Sequence, residues 1–382
     1  MFSQRSKRLL ATLAVAAALP LSLPAVASAA AGPIDLGLLP GDEMTQVNAV
    51  GDRGQLVGES CSTEPHTHFC TAVKWDRAGR ISVLPSLGGG FGSPKTINGS
   101  GVAVGNATGR DLSTRAVRWS PDGAVTELPA PPGGRTWEAT GISTLGVIVG
   151  SGQDADGGQR GLRWDPSGNV TVLAAPPVAG NYYATAITRD GRFIAGQLHE
   201  ADGSNRILRW NAAGEVTVLG PVDEYSSFGE LNASGEIVGR TTINDRHAAV
   251  KWTADGRMIE LGWMNPYATE ALGLNGSGVS VGMGYVDSPS GSLPAPVRWA
   301  SDGTMTLLSG TDGQAEDIDP RGRIVGRAGN ASLWDANGVR TDLGTLPGGG
   351  FSRAQLIGLD GTIAGGAVAA DGNWHAVYWP AR

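Results

Sequence analysis

Residues 97–105 read INGSGVAVG. Three glycines are interleaved with small apolar and polar side chains, and no acid, base or other reactive group is present. Glycine-rich loops cradle phosphates when a helix follows and turns its positive end on the anion. No helical period follows here. Instead the stretch has seven relatives: VGDRGQLVG, ISTLGVIVG, ITRDGRFIAG, LNASGEIVG, LNGSGVSVG, IDPRGRIVG and IGLDGTIAG. Their turn glycines, Gly54, Gly101, Gly146, Gly191, Gly235, Gly278, Gly322 and Gly361, recur every 39–47 residues. A period in this range marks a repeat architecture.

Each stretch reads as a β-hairpin. An apolar residue ends one strand, two or three turn formers lead to a glycine suited to positive φ, and an alternating strand ends in a second glycine. ITRDGRFIAG has one residue more after its turn glycine, which predicts a bulge in that copy.

A second signature follows every hairpin. Trp75, Trp119, Trp164, Trp210, Trp252, Trp299, Trp334 and Trp379 stand in register, and in the first seven copies a glycine lies four residues on, as in WSPDG, WDPSG, WTADG and WDANG. Turn formers fill the gap, and another short strand follows, such as VTELP, VTVLG or VRTDLG. Four short strands and two hairpins per repeat make a propeller blade. The repeat tryptophans are expected to pack between neighbouring blades.

The last unit reaches Trp379 without a fourth strand, while PIDLGLLPG (residues 33–41) reads as a fourth strand with no tryptophan before it. Pairing the one into the other removes two sheet edges. The sequence therefore predicts an all-β, eight-bladed β-propeller of four-stranded antiparallel blades, its ring closed by a strand at about 33–38 that completes the blade of Trp379. Seven blades plus an irregular unit is the alternative.

Residues 1–29 read as a signal peptide, with a basic start at Arg5, Lys7 and Arg8, an apolar run interrupted by Pro20, and the small residues Ala27, Ser28 and Ala29 at the cleavage site. Residues 30–382 are then a single propeller domain, exported and, by expectation, monomeric. The run is too short to be a good membrane span. The chain carries a formal charge of −7, and the leader holds three bases and no acid, so the mature part comes to −10. With no basic run after residue 30, nucleic acid is not an expected partner. Cys61 and Cys70, in CSTEPHTHFC, are expected to form a disulfide in an oxidising compartment. The competing reading is a metal site that adds His66 and His68. No cofactor is implied. Gly is 59 of 382 residues, against an average near 7%, which suits many tight turns.

The segment ASLWDANGVRTDLGTLPGGGFSRAQLIG (331–358) resembles the repeat of bacterial extracellular HAF-repeat proteins. Those repeats pair a His-Ala-Phe-like strand ending in Trp with an LGTLPGG strand and turn. HAAVKW (247–252) and HAVYW (375–379) echo the first part. Several copies lack the histidine and the LPGG element. The resemblance implies a secreted repeat protein and carries no defined activity.

In a propeller the loops joining one blade's outer strand to the next blade's inner strand share a face with the second hairpin of each blade, and ligands gather there. On those connections lie Phe91, Trp137, Tyr182, Tyr183, Tyr225, Phe228, Trp263, Tyr267 and Phe351, candidates for stacking on a sugar or gripping a peptide; packing between blades is the structural reading. The acids there, Glu138, Asp223, Glu224, Glu230, Glu270, Glu316 and Asp317, are the pool from which a glycosidase-like pair would come, or else solvated loop charges. No nucleophile elbow, a serine on a strand-to-helix turn, is evident. DADGG (154–158) opens like a calcium loop but continues without its ligands. The leading function is a non-catalytic propeller that binds a glycan, cell-wall component or protein on its loop-rich face. The alternatives are a polysaccharide hydrolase or lyase with two loop carboxylates, and a structural scaffold.

Overall fold

The computed structural model describes residues 32–62, 69–131, 133–134, 136–220, 226–262, 268–289 and 291–381. The leader and the His66 and His68 positions lie outside them. All regular elements among the described residues are β-strands, grouped as eight four-stranded antiparallel units; seven are ordered a-b-c-d along the chain, and the first and last units share one sheet through a parallel bridge between Met44 and Trp374. Blade 2 shows the plan: Gly88–Ile97, Ala103–Gly109, Thr114–Trp119 and Val125–Glu127. Ile97 pairs with Ala103, Ala103 with Trp119, and Trp119 with Val125. INGSGVAVG is thus the hairpin between strands a and b.

Chemistry local to that hairpin explains its composition. Gly101 takes φ 84°, and its seven counterparts are also positive, a region that costs other residues. Asn98 holds the turn, its Oδ1 accepting from Ser100 N and Val102 N at 3.1 Å each. Its Nδ2 donates to Ser143 O of blade 3 at 3.1 Å. Asn232 reaches Asn275 O, and Asn275 reaches Asp319 O, in the same way. The turn residue therefore ties one blade to the next.

Gly105 has a different task. A Cβ there would lie 2.1 Å from Ser93 O, and each of the seven equivalent glycines faces a strand-a carbonyl at 1.9–2.1 Å. The cause is a bulge in strand a. All eight inner strands carry one at the same place, between Val47/Ala49 in blade 1, Pro94/Thr96 in blade 2 and so on round the ring. In ITRDGRFIAG the extra residue instead widens the turn, where Thr188 N donates to Phe193 O at 2.9 Å. The strand pairing there, Ile187 with Ile194, matches the other blades, so the additional bulge expected in that copy is absent.

The core lies between blades. Ala49 and Val57 of blade 1 pack on Ala103, Val117 and Trp119 of blade 2, and Trp119 is fully buried. Burying an indole requires a partner for its N–H. Trp119 Nε1 donates to Pro85 O at 2.8 Å, at the end of the preceding blade's strand d, and six other repeat tryptophans do likewise.

The strand Ile34–Asp35 takes the place of strand d in blade 8. Ile34 lies opposite Tyr378 and Asp35 opposite Val377, and Leu36 N donates to Ala376 O at 3.0 Å. The blade 8–1 junction repeats the blade 7–8 junction. Thr45 Oγ1 accepts from Ala376 N and donates to Gly37 O, just as Ser352 Oγ accepts from Ala331 N and donates to Gly344 O.

Candidate functional site

Strands a run from the loop-rich face to the a–b hairpin face and line the central channel. Side chains before and within each bulge point to the lumen, and the residue between them packs into the blade, as the alternating burial of Met44–Val50 shows. Residues of blades 7, 8, 1 and 2 line an open cavity of about 660 Å³. Its wall includes Gln46, Asn48, Glu59, Lys95, Glu316, Arg353, Gln355 and Trp374.

Glu59 organises the blade 1 wall. It sits on strand b (Leu56–Ser62) and is 7% exposed. Its Oε2 accepts from Gln46 Nε2 at 3.1 Å, and its Oε1 from Asn48 Nδ2 at 3.0 Å and from Ser93 Oγ of blade 2. Asn48 Nδ2 also donates to Pro94 O at 2.9 Å. On the blade 7 side, Glu316 Oε1 accepts from Arg353 Nε at 2.7 Å and from Gln314 Nε2 at 2.9 Å. Burial pushes the Glu316 carboxyl above its ordinary range, and the Arg353 charge opposes that. Trp374 opens strand c of blade 8 (Trp374–Trp379). Its ring lies across Gly366, where any Cβ would strike it, and stands 6.0 Å from the Phe351 ring.

Two further acids stand just past the strand-a bulges of blades 5 and 7. Glu230 of blade 5 accepts from Leu274 N at 2.9 Å, and Asp317 of blade 7 accepts from Ile357 N at 2.9 Å and Ile318 N at 2.7 Å. Each carboxylate ties its own blade to the next. Both residues are half-buried. That burial, with their mutual repulsion, pushes Glu230 up to about 8, and burial pushes Asp317 up to about 6. At the hairpin end Arg189 of blade 4 pairs with Asp52 of blade 1, spanning the channel.

The sign of the pH effect follows. Both acids hold a proton more tightly when folded than at their usual values of 4.5 and 3.8, so folding takes up protons there. Their contribution is complete below about pH 4 and is lost as pH rises through about 6 and then about 8. Glu230→Gln keeps an acceptor for Leu274 N and removes the charge. Its stability should match the parent at pH 5 and exceed it at pH 9 by roughly 1–3 kcal/mol, read from denaturant midpoints. Equal stability at both pH values would refute the assignment.

The aromatic candidates among the described residues do not form one patch. Tyr182 is 4% exposed, its hydroxyl donating to Leu173 O at 3.0 Å and its ring packing near Trp210. Trp137 and Phe228 are half-buried against inter-blade clusters, Trp137 Nε1 donating to Leu128 O at 2.8 Å. Phe91 is half-buried in strand a of blade 2. Tyr183 reaches the channel and meets His199 edge-on at 5.2 Å; burial and then the Glu138 charge raise its phenol. Phe351 packs near Trp374, and the Arg327 guanidinium lies 5.6 Å from the centre of the Phe351 ring. Tyr225, Trp263, Tyr267, Asp223 and Glu224 lie outside the described residues. Glu270 pairs with Arg240 at 3.3 Å and accepts from Ser227 Oγ at 3.2 Å, away from the cavity.

Cys61 and Cys70 face each other across the b–c hairpin of blade 1 and are joined by a disulfide. Glu59 lies close to both sulfurs, but bonded sulfurs are not thiolate ligands, so this cluster is no thiolate metal site. In DADGG, Asp154 Oδ1 accepts from Asp156 N and Gly158 N, and Oδ2 pairs with Arg160 at 2.9 Å. That aspartate is used up by its own turn.

The architecture defines an all-β propeller with its cavity in the channel mouth. Among solved structures, a mutant of puromycin hydrolase is 14% identical over 92% of this chain and 61% of that chain, with a TM-score of 0.51. Virginiamycin B lyase from Staphylococcus aureus is 16% identical over 75% and 93%, with a TM-score of 0.43. TolB from Acinetobacter baumannii is 13% identical over 72% and 79%, with a TM-score of 0.35. The likeness is one of fold. No family model and no curated protein matches the sequence.

Proposed function

We propose that this protein is an exported, non-catalytic binding propeller that takes a polyhydroxylated extracellular ligand, a glycan or cell-wall component, into the channel mouth. The observation that carries this reading is the 660 Å³ cavity, a size typical of ligand sites, whose wall combines pre-oriented amides and charges with one indole. Amides and carboxylates match hydroxyl donors, and the Trp374 ring offers a face for a sugar's C–H surface. The acids support binding over hydrolysis. Glu230 and Asp317, which hold their protons most tightly, are committed to backbone N–H groups and do not line the cavity. Export rests on the leader and on the disulfide, which fits an oxidising compartment. Among the described residues no helix is long and apolar enough to cross a membrane.

The test is a glycan and polymer array on the mature protein, with soluble products measured in parallel and hits quantified by calorimetry. Trp374→Ala should weaken the best ligand at least about tenfold while the fold persists. Product release would favour the hydrolase reading, in which Glu316 is the acid. Absence of both binding and release would favour a scaffold.

A further inference from the structure

Resting on that reading of the cavity, we infer that its ligand is a polyhydroxylated anion whose acidic group docks on Lys95. The hydrogen bonds already made inside the cavity decide which groups are left for a ligand. Both Asn48 amide hydrogens are taken, one by Glu59 and one by Pro94 O. Asn48 therefore offers only its Oδ1, an acceptor. Gln46 also gives a hydrogen to Glu59, which points its Oε1 away from that contact. The blade 1 wall thus presents carbonyl oxygens, the partners of hydroxyl donors.

The charges divide as clearly. Arg353 is held by Glu316, with Nη2 at 2.5 Å and Nε at 2.7 Å from the same oxygen. The Glu59 charge is spread over three neutral donors. Lys95 lies on the lumen side of the blade 2 bulge, is exposed there, and makes no ion pair among the described residues. An ammonium inside a walled channel has less bulk water to screen it than one on an open surface. It is the group through which this cavity distinguishes an anion from a neutral molecule. Acceptors on blade 1 beside a cation on blade 2 match a ligand that carries hydroxyls next to a carboxylate or a phosphate. Uronate polymers and polyol phosphates both have that chemistry.

Calorimetry at low salt with three probes tests this: an oligogalacturonide, its fully methyl-esterified form and a glycerol-phosphate oligomer. The free acid, or the phosphate, should bind at least about tenfold more tightly than the ester, and the difference should collapse in Lys95→Met and at 0.5 M salt. Lys95→Arg should retain it. The salt dependence is that expected of an incompletely buried charge pair. Tighter binding by the phosphate oligomer alone would support the inference with phosphate as the source. Equal binding of acid and ester, or a preference unchanged in Lys95→Met, would overturn it while leaving the cavity reading intact. Failure of every probe, together with an empty array, would instead overturn the cavity reading itself. Because Lys95 is exposed in the lumen and packs in no core cluster, its variants should fold like the parent, which a thermal melt verifies.

Discussion

Trp210→Ala is expected to destabilise the protein by about 3–5 kcal/mol, measured as a shift of the denaturant midpoint. The side chain is fully buried among Val149 and Leu173 of blade 3 and Tyr182, Ile194 and Leu208 of blade 4. Its Nε1 donates to Ala174 O at 2.8 Å, so truncation opens a cavity and strands a carbonyl at once. A Cβ on Gly196 would come within 2.8 Å of the indole, which shows how closely the backbone has been drawn around it. Trp210→Phe should lose less, since the ring volume is mostly kept. Trp374→Ala, half-buried at the channel mouth, is the contrast: a small stability loss and a large binding loss. A midpoint shift for Trp210→Ala no larger than that of Trp374→Ala would contradict the inter-blade role of the repeat tryptophans.

Deleting residues 32–37 should cost more than any single substitution. Leu36, 2% exposed, fills a cluster with Val47, Val73, Trp75 and Ala376, and its carbonyl accepts from Trp75 Nε1 at 2.9 Å. Asp35 holds His375 Nδ1 at 2.9 Å. Without the segment, strand c of blade 8 becomes an open edge at Ala376–Tyr378, the kind of edge that templates association. The expected outcome is a loss beyond the roughly 2–5 kcal/mol of a core leucine alone, with concentration-dependent oligomers on size exclusion. A synthetic peptide of residues 33–40 added in trans should restore part of the midpoint. A truncated chain that stays monomeric and as stable as the parent would show that this strand is dispensable.

The blade plan was legible in the sequence because it is enforced at eight places at once. Gly101 and its counterparts answer to backbone sterics, and Trp119 and its counterparts answer to a shared packing slot. Either signal alone would be weak, but their common period is not. The bulges were not legible. A bulge is a relation between two strands, and Ala139 and Gly141 show it only when paired against Gly150 and Val149. The cavity was hidden for a related reason. Aromatics in the connections drew attention because they do not repeat, yet the lumen is lined by the polar residues of strand a, such as Gln46, Asn48 and Lys95. These sit between small residues and look like ordinary strand polarity. Glu316 was among the acids singled out; Glu59, on the second strand, was not. Trp374 also passed unremarked, standing one residue before the repeat's histidine position.

The Asn98, Asn232 and Asn275 side chains on the hairpin face have a consequence for how such a protein can change over generations. Each satisfies its own turn and grips the adjoining blade, so part of what fixes blade against blade lies far from the mouth of the channel. Lumen positions such as Lys95 and Gln355 take no part in that girdle. They are free to drift without unseating a neighbour, and a new chemical preference can arise there by single steps. The frame is conservative by construction, and the aperture is open to rewriting.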